Sequence, residues 1–395
     1  MRIQRIETFA CDAGWRNYHY LKVVTESGIA GWAEYDEAYG TPGLTGVLER
    51  LAPRLIGKSV MNHETIYCEL GALLQPAPDG LSAEAQGAFE NALLDAKAKH
   101  LGVPCYELLG GKHRDAVPVY WSHCATWRIA HPTHYHPPIT NLAGVIQAGK
   151  DAQALGVSAV KTNLFYDIAH NPRQYLAGFG NPYEPGLNFD KTLFRNVTEH
   201  LLALREGLGP DIDILIDLNF NGRTESFGRM IEALKQFELF WIELDLYSPE
   251  GLAYIRQRAH APIASCETLF GMRQFLPYLK AQSMDVAIVD AVWNGVWQAT
   301  RIAALAETFR VNIAPHNFYS HHATMMNVHF AAAVPNLRVM ETDIDRLPWD
   351  DELVTHVPRI VDGAIKVSDA PGWGCDPIEE KLLAHPPRQN KPPGA

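Results

Sequence analysis

Three acidic residues stand at the ends of short apolar segments, at nearly equal intervals along the chain. They are Asp217 in Leu-Ile-Asp, Glu243 in Trp-Ile-Glu and Glu267 in Ser-Cys-Glu, spaced by 26 and 24 residues. One such acid usually caps the following helix, but three in successive units would converge, repel one another and be partly protonated. A hard divalent cation with oxygen ligands removes that cost, and the absence of Cys or His at these positions argues against zinc. The pattern predicts a Mg²⁺ site.

The next two apolar segments end in Asp290 and His316, again 26 residues apart. A carboxylate that accepts one imidazole N–H fixes the tautomer and raises the basicity of the other nitrogen, as a general base requires. The alternative is a purely structural hydrogen bond between the two side chains. Beside a metal site, the pair is interpreted as a general base.

Lys161 ends an earlier apolar segment, Ala-Val-Lys. Its ammonium must be desolvated or paired there. Lys161 could therefore act as a base, as an electrostatic clamp on a substrate carboxylate, or as a Schiff-base nucleophile.

The elements that must position these residues are visible as eight apolar segments alternating with amphipathic helical patterns. Segments that are apolar on both faces indicate a parallel sheet, and eight of them at mostly regular intervals indicate an α/β barrel with its chemistry at the carboxyl ends of the strands. The segments are 117–121, 158–161, 212–218, 239–242, 262–265, 286–289, 311–314 and 337–340.

The residues before the barrel have a different pattern. An N-terminal strand and a hairpin over 18–34 precede helical periodicity in 44–74 and 83–101, which predicts an α+β domain over 1–112 and a barrel over 113–354. Residues 164–190 lack periodicity and are interpreted as a functional loop on the catalytic face. The proline-rich tail 385–395 is predicted to be disordered.

Composition restricts the partners. The 395 residues carry a formal net charge of −11, with no stripe of Lys and Arg, so nucleic acid is not an expected partner. No signal-peptide core or membrane-length apolar stretch is present. We expect a soluble cytoplasmic protein that does not contact a membrane.

The chain resembles the mandelate racemase subgroup of the enolase superfamily over nearly its whole length. The resemblance rests on the strand-end acids, on Glu-Asn-Ala-Leu-Leu-Asp-Ala-Lys at 90–97, on Leu-Leu-Gly-Gly at 108–111 and on Pro-Gly-Trp-Gly at 371–374. It implies a (β/α)7β modified TIM barrel under an α+β capping domain that also takes in part of 355–395. It also implies Mg²⁺ held by the three acids, abstraction of a proton α to a carboxylate, and a homo-oligomer, a dimer or an octamer.

The resemblance also assigns residues. His316 with Asp290 matches the subgroup's histidine base dyad, and Glu341 matches an acid that hydrogen-bonds the substrate carboxylate. Lys161 matches the first lysine of a Lys-x-Lys pair, but Asn163 stands in place of the second. An amide cannot accept a proton at neutral pH. A single base favours β-elimination, so we expect dehydration of a sugar acid, an aldonate or aldarate, to a 2-keto-3-deoxy acid.

Further departures and alternatives remain. The second acid of the family's Trp-Ile-Glu-Glu-Pro motif is replaced by Leu244. A racemase, epimerase or cycloisomerase would need Lys161 or Tyr166 as its second base, a Schiff-base aldolase would use Lys161 as nucleophile, and a non-catalytic relative would need neither. The residues expected to bind the substrate are Asn163, Tyr18, His19, His123 and Asn219.

Overall fold

A computed structural model of the protein describes residues 1–38, 41–179 and 187–388. The strands, numbered in chain order, are β1 (Ile3–Ala13), β2 (Arg16–Thr25), β3 (Ala30–Tyr35), β4 (Ala116–Ser122), β5 (Ala159–Thr162), β6 (Phe165–Tyr166), β7 (Arg173–Gln174), β8 (Asp213–Asp217), β9 (Trp241–Glu243), β10 (Ile263–Ser265), β11 (Val286–Val289), β12 (Asn312–Pro315), β13 (Met340–Asp343), β14 (Ile360–Val361) and β15 (Ala364–Lys366). The helices are α1 (Leu44–Leu51), α2 (His63–Leu73), α3 (Leu81–Leu101), α4 (Cys105–Leu108), α5 (Thr126–Ala130), α6 (Leu142–Leu155), α7 (Lys191–Leu208), α8 (Thr224–Ala233), α9 (Pro249–Arg256), α10 (Gly271–Lys280), α11 (Ala291–Asn294), α12 (Val296–Thr308), α13 (His321–Ala333) and α14 (Glu379–Ala384).

Eight parallel strands form the barrel. They pair in the order β12, β11, β10, β9, β8, β5, β4 and β13, and a parallel bridge between Ile313 and Leu337 closes the ring. The interior is filled by residues that these strands direct inward, among them Tyr120, Leu215 and Trp241. The barrel is therefore a packed core whose polar chemistry is confined to the strand ends.

The capping domain is a three-stranded antiparallel sheet, β1-β2-β3, covered by α3. At Gly31 in β3 a side chain is excluded, because a Cβ there would lie 2.1 Å from the carbonyl oxygen of Ala92 in α3. The barrel and the capping domain predicted from the sequence are confirmed.

Helix α3 also joins the capping domain to the barrel. The Asn91 Oδ1 atom accepts from the Val296 N–H at 2.7 Å, and the Glu90 Oε2 atom accepts from the Trp297 N–H at 3.0 Å. These N–H groups begin α12 and have no partner within their own helix. Two side chains of the capping domain thus cap a helix of the barrel and fix the relative position of the two domains.

The C-terminal residues return to both parts of the molecule. Strand β15 pairs antiparallel with β4, and α14 packs against β1. In the tail predicted to be disordered, residues up to 388 are described, and the Arg388 guanidinium contacts Asp12 Oδ2 at 2.8 Å. Residues 389–395 lie outside the described part of the chain. Nowhere in the described residues is there a helix of the length and apolarity needed to cross a membrane.

Two local expectations need correction. The segment 164–190 is not without regular structure, since β6 and β7 form a short antiparallel hairpin within it; residues 180–186 lie outside the described part. The sequence placed the last barrel strand at 337–340, but the strand begins at Met340. Before that point the chain contacts β12 through an isolated bridge, in which the Arg338 N–H donates to the Ile313 carbonyl.

Candidate active site

The three predicted acids lie at the carboxyl ends of neighbouring strands. Asp217 ends β8 and pairs in register with Glu243 at the end of β9, while Glu267 follows β10 by two residues. Asp217 and Glu243 are buried, and the Glu267 side chain is 13% exposed. The βα-unit spacing therefore places them on one rim of the barrel, as expected.

Lys161 lies among these acids. Its Nζ atom is 3.0 Å from Glu243 Oε1, 2.8 Å from Glu341 Oε1 and 4.0 Å from Asp217 Oδ2. Burial alone lowers the pKa of this ammonium, but Glu243 and Glu341 outweigh it and raise the pKa well above its usual value. Lys161 is thus the counterion of Glu243 and Glu341 in this arrangement.

The acids carry more negative charge than Lys161 neutralises. Burial raises the pKa of Asp217 to about 6, that of Glu243 to about 7 and that of Glu267 well above its usual value, and repulsion from the other acids adds to each. A site that disfavours its own ionised carboxylates in this way suits a bound cation.

The donor set at this rim fits a hard divalent cation, because every candidate ligand is a carboxylate oxygen. In residues 1–38, 41–179 and 187–388, however, no three His, Cys, Asp or Glu side chains are already arranged closely enough to hold an ion. The Glu243 carboxylate is divided between Lys161 and the Trp241 indole N–H, which donates to Oε2 at 3.0 Å.

The predicted dyad is present. The His316 Nδ1 atom lies 2.6 Å from Asp290 Oδ2, which also accepts from the Tyr319 hydroxyl, while Asp290 Oδ1 accepts from the Trp293 N–H. The other imidazole nitrogen, Nε2, lies 3.6 Å from Glu267 Oε2 and faces the acids. Burial lowers the pKa of His316, but Glu267 and Asp290 outweigh it and raise the pKa to about 10.

Asn163 and Asn219 belong to a hydrogen-bonded chain that ends on Asp217. The Thr126 hydroxyl donates to Asn163 Oδ1 at 2.9 Å, and the Asn163 amide donates to Asn219 Oδ1 at 3.4 Å. Asn219 in turn donates its backbone and side-chain N–H groups to the two Asp217 oxygens, each at 2.7 Å. These contacts orient a rim carboxylate, and the expectation that both residues bind substrate stays a prediction.

Glu341 is fully engaged with the protein. It is 1% exposed, and its oxygens contact Lys161, the Ser122 hydroxyl and the Asn317 N–H. Lys161 and His316 outweigh the effect of burial and hold the pKa of Glu341 below its usual range. Its expected contact with a substrate carboxylate would require one of these partners to be displaced.

Of the residues expected to bind the substrate, His123 and Tyr18 lie at the mouth of the barrel. His123 lies there, 3.0 Å from Asp343 Oδ1 and stacked on Trp127 with ring centroids 4.1 Å apart. Tyr18 is on the same face of β2 as Arg16, whose guanidinium lies over the Phe318 ring.

His19 faces the other way. Successive side chains of a strand point to opposite faces, and Leu21 and Val23, which share the face of His19, belong to the core of the capping domain. The His19 ring packs 5.5 Å from that of Tyr35 in the same core. His19 is thus placed at the capping core, and a role for it in substrate binding stays a prediction.

Two residues of the site escaped sequence reasoning. Asp245 accepts from the Cys266 N–H at 2.8 Å and from the Ser265 hydroxyl at 3.1 Å, and it adds another buried acid beside the rim. Cys266 has a φ of 89°, a strained value for a residue with a side chain, and it directs the chain into Glu267. The acid two positions after Glu243 was the available signal.

Comparison with known proteins agrees with this geometry. Residues 145–381 match the family model described as enolase C-terminal domain-like, and residues 11–110 match the mandelate racemase/muconate lactonizing enzyme N-terminal domain. The D-xylonate dehydratase of Haloferax volcanii is 28% identical over 380 residues, which cover 93% of this chain and 86% of that protein. The D-gluconate dehydratase of Thermoproteus tenax is 28% identical over 390 residues, covering 95% and 72%.

A solved structure from Burkholderia xenovorans strain LB400 is more similar. It carries the name of an L-alanine-DL-glutamate epimerase and was solved with magnesium and fumarate bound. It is 55% identical, covers 98% of this chain and 96% of its own, and superposes with a TM-score of 0.97. Both family models, which together cover most of the chain, and the capped barrel lead to one conclusion: this chain belongs to the enolase superfamily, in its mandelate racemase subgroup.

Proposed function

We propose that this protein is a Mg²⁺-dependent dehydratase of sugar acids. The observation that carries the proposal is the asymmetry of the site, where one imidazole with a carboxylate partner faces the acidic rim and the group opposite is a locked ammonium. The names of the Haloferax and Thermoproteus relatives support dehydration. The magnesium and fumarate in the Burkholderia structure support a cation together with a carboxylate ligand.

Asp217, Glu243 and Glu267 would hold the cation. Bound there, it would offset the negative charge that develops on the substrate carboxylate and, by neutralising Glu267, lower the pKa of His316 so that the imidazole can accept a proton. Lys161 stabilises the same developing charge from the other side of the rim.

The reaction then needs one base. His316 Nε2 takes the proton from the carbon next to the carboxylate, and Asp290 stabilises the imidazolium that results. The electron pair left on that carbon delocalises into the carboxylate group, which gives an enediolate. The enediolate then expels the β-hydroxyl, which leaves as water with a proton returned by His316. The enol so formed takes up a proton at its β-carbon and releases its hydroxyl proton to solvent, which gives the 2-keto-3-deoxy acid.

Epimerisation is the second candidate, favoured by the name of the Burkholderia relative. A proton exchanged between the two faces of one carbon needs a base on each face. Lys161 is paired with two carboxylates, and Asn163 is an amide held by Thr126. The same ion pairs disfavour a Schiff-base aldolase, since an ammonium is not a nucleophile.

The experiment is a screen of mono- and dicarboxylic sugar acids with Mg²⁺, in which the 2-keto product is measured as its semicarbazone. Dehydration predicts keto-acid formation that EDTA abolishes. Deuterium exchange at the α-carbon in D₂O with no keto acid released would instead support the epimerase. Absence of both reactions across the screen would contradict the proposal.

A further inference from the structure

A buried guanidinium from the capping sheet lies at the mouth of the barrel. Arg16, the first residue of β2, is 6% exposed and donates to the carbonyl oxygen of Phe318. Its guanidinium carbon lies 4.4 Å from the centre of the Phe318 ring, and that ring lies 5.0 Å from the imidazole of His316. Arg16 is therefore one phenyl ring away from the proposed base.

Arg16 lacks the partner that a buried cation normally has. None of the Asp and Glu residues in the described part of the chain forms an ion pair with it, whereas the similarly buried Arg128 is paired with both Asp345 and Asp151. A guanidinium has five N–H donors, and among the described residues the one hydrogen bond that the Arg16 guanidinium makes is to a neutral carbonyl.

The surroundings of Arg16 stabilise its charge without satisfying its donors. The rings of Trp15, Tyr18 and Phe318 lie within 4.4–5.4 Å of the guanidinium carbon. Asp36 and Asp343 act on its charge from beyond contact, and Asp343 already binds His123. Aromatic faces attract a cation but do not replace a carboxylate acceptor, so the site is suited to an anionic ligand.

We propose that Arg16 binds the second carboxylate of a dicarboxylic sugar acid, which makes the substrate an aldarate and not an aldonate. This inference rests on the proposed function, since the first carboxylate is the one placed at the acidic rim. Arginine is suited to the role because its planar fork binds a carboxylate through two parallel hydrogen bonds. The terminal hydroxymethyl group of an aldonate would enter the same space without offsetting the charge.

Binding of unreactive acids tests the inference apart from catalysis. Succinate, glutarate and adipate have no β-hydroxyl to lose, and each can be compared with its own monoamide by calorimetry in the presence of Mg²⁺. We expect at least one diacid to bind about 10- to 100-fold more tightly than its monoamide, the range of a charge-assisted hydrogen-bonded pair. Equal affinity within all three pairs would overturn the inference.

Variants then assign the preference to one side chain. Arg16→Gln should abolish the preference for the diacid, and Arg16→Lys should retain part of it. Arg114→Gln is the matched control, because Arg114 also donates to main-chain carbonyls, those of Ala331 and Val334, but precedes the first barrel strand. A preference that survived in Arg16→Gln would refute the assignment, and the wild-type comparison alone remains decisive if a variant does not fold.

Turnover separates this inference from the proposed function. Aldonates and aldarates of the same configuration are assayed in pairs for keto-acid formation. Turnover of aldarates supports both statements, and turnover restricted to aldonates refutes the role of Arg16 while leaving dehydration intact. If no sugar acid reacts but diacids bind preferentially through Arg16, the proposed dehydration fails and the anion site stands.

Discussion

Replacement of Lys161 by methionine tests the charge balance of the site. The side chain is 2% exposed, and its ammonium is the counterion of Glu243 and Glu341, both of them also buried. Methionine keeps the volume and the apolar stem but leaves two carboxylates without a positive partner. Removing one member of a buried ion pair costs about 3–5 kcal/mol, since the remaining charge stays desolvated.

The loss should depend on pH in a defined direction. Without Lys161, burial raises the pKa values of Glu243 and Glu341 in the folded state above those in the unfolded chain. A carboxyl with a raised folded pKa favours folding only while it is protonated, so its contribution is lost as pH increases. The difference in unfolding free energy between wild type and Lys161→Met should therefore be larger at pH 8 than at pH 5.

Urea unfolding in EDTA at the two pH values measures this difference. Lys58→Met is the matched control, because Lys58 pairs with Glu69 on the surface, where the side chains are 37% and 51% exposed, and such pairs contribute about 0–1 kcal/mol. A loss in Lys161→Met no larger than in Lys58→Met would refute the reasoning, as would a loss that is independent of pH.

Three further variants test other contacts. Tyr319→Phe removes a hydrogen bond to Asp290 and should lower kcat about 10-fold without changing the affinity for Mg²⁺. Tyr278→Phe is the control and should leave kcat unchanged, because the Tyr278 hydroxyl donates only to the Leu246 carbonyl among the described residues. Burial raises the pKa of Glu90 to about 8, so its ionised form is disfavoured in the fold. As pH rises from about 4.5 through 8, Glu90→Gln should therefore gain stability over wild type, by on the order of a few kcal/mol. Thermal unfolding across that range measures the gain, and its absence would contradict the reasoning. Gly31→Ala should lower the free energy of unfolding by about 1–3 kcal/mol or more, because the new Cβ meets the Ala92 carbonyl oxygen. Gly46→Ala is the control, since a Cβ there has nothing within 4 Å. Similar unfolding midpoints for the two variants would contradict the prediction.

The barrel and the rim acids could be predicted because their signals are local. From β8 to β12 each strand end is marked by an acid or a histidine, and the unit length of about 25 residues brings successive strand ends together. The contact between His316 and Asp290 follows from the same repeat, since both end adjacent strands.

The sequence could not show which contacts each polar group makes once it is buried. Lys161 was placed at the rim, but its pairing with Glu341 depends on how β5 and β13 flank β4. Asn163 and Asn219 were recognised as polar groups near the site, yet their mutual orientation depends on the loop geometry at Asn219, where φ is 48°.

The capping strand shows how a shift of one residue changes the interpretation. Arg16, Tyr18 and His19 lie together in the sequence, and alternation along β2 sends the first two to the barrel and the third to the capping core. Alternation alone does not determine which of the two sets faces the barrel. That Arg16 lacks an ion-pair partner among the described residues is visible only in the structure.

The measurement that tests the central claim most directly compares wild type with His316→Asn. Keto-acid formation from sugar acids is assayed with Mg²⁺, and the rise in unfolding temperature on adding Mg²⁺ is recorded for both proteins. The account predicts that the variant loses turnover by at least about 10³-fold while Mg²⁺ still stabilises it. A variant that turned over at the wild-type rate would show that His316 is not the base and would contradict the account.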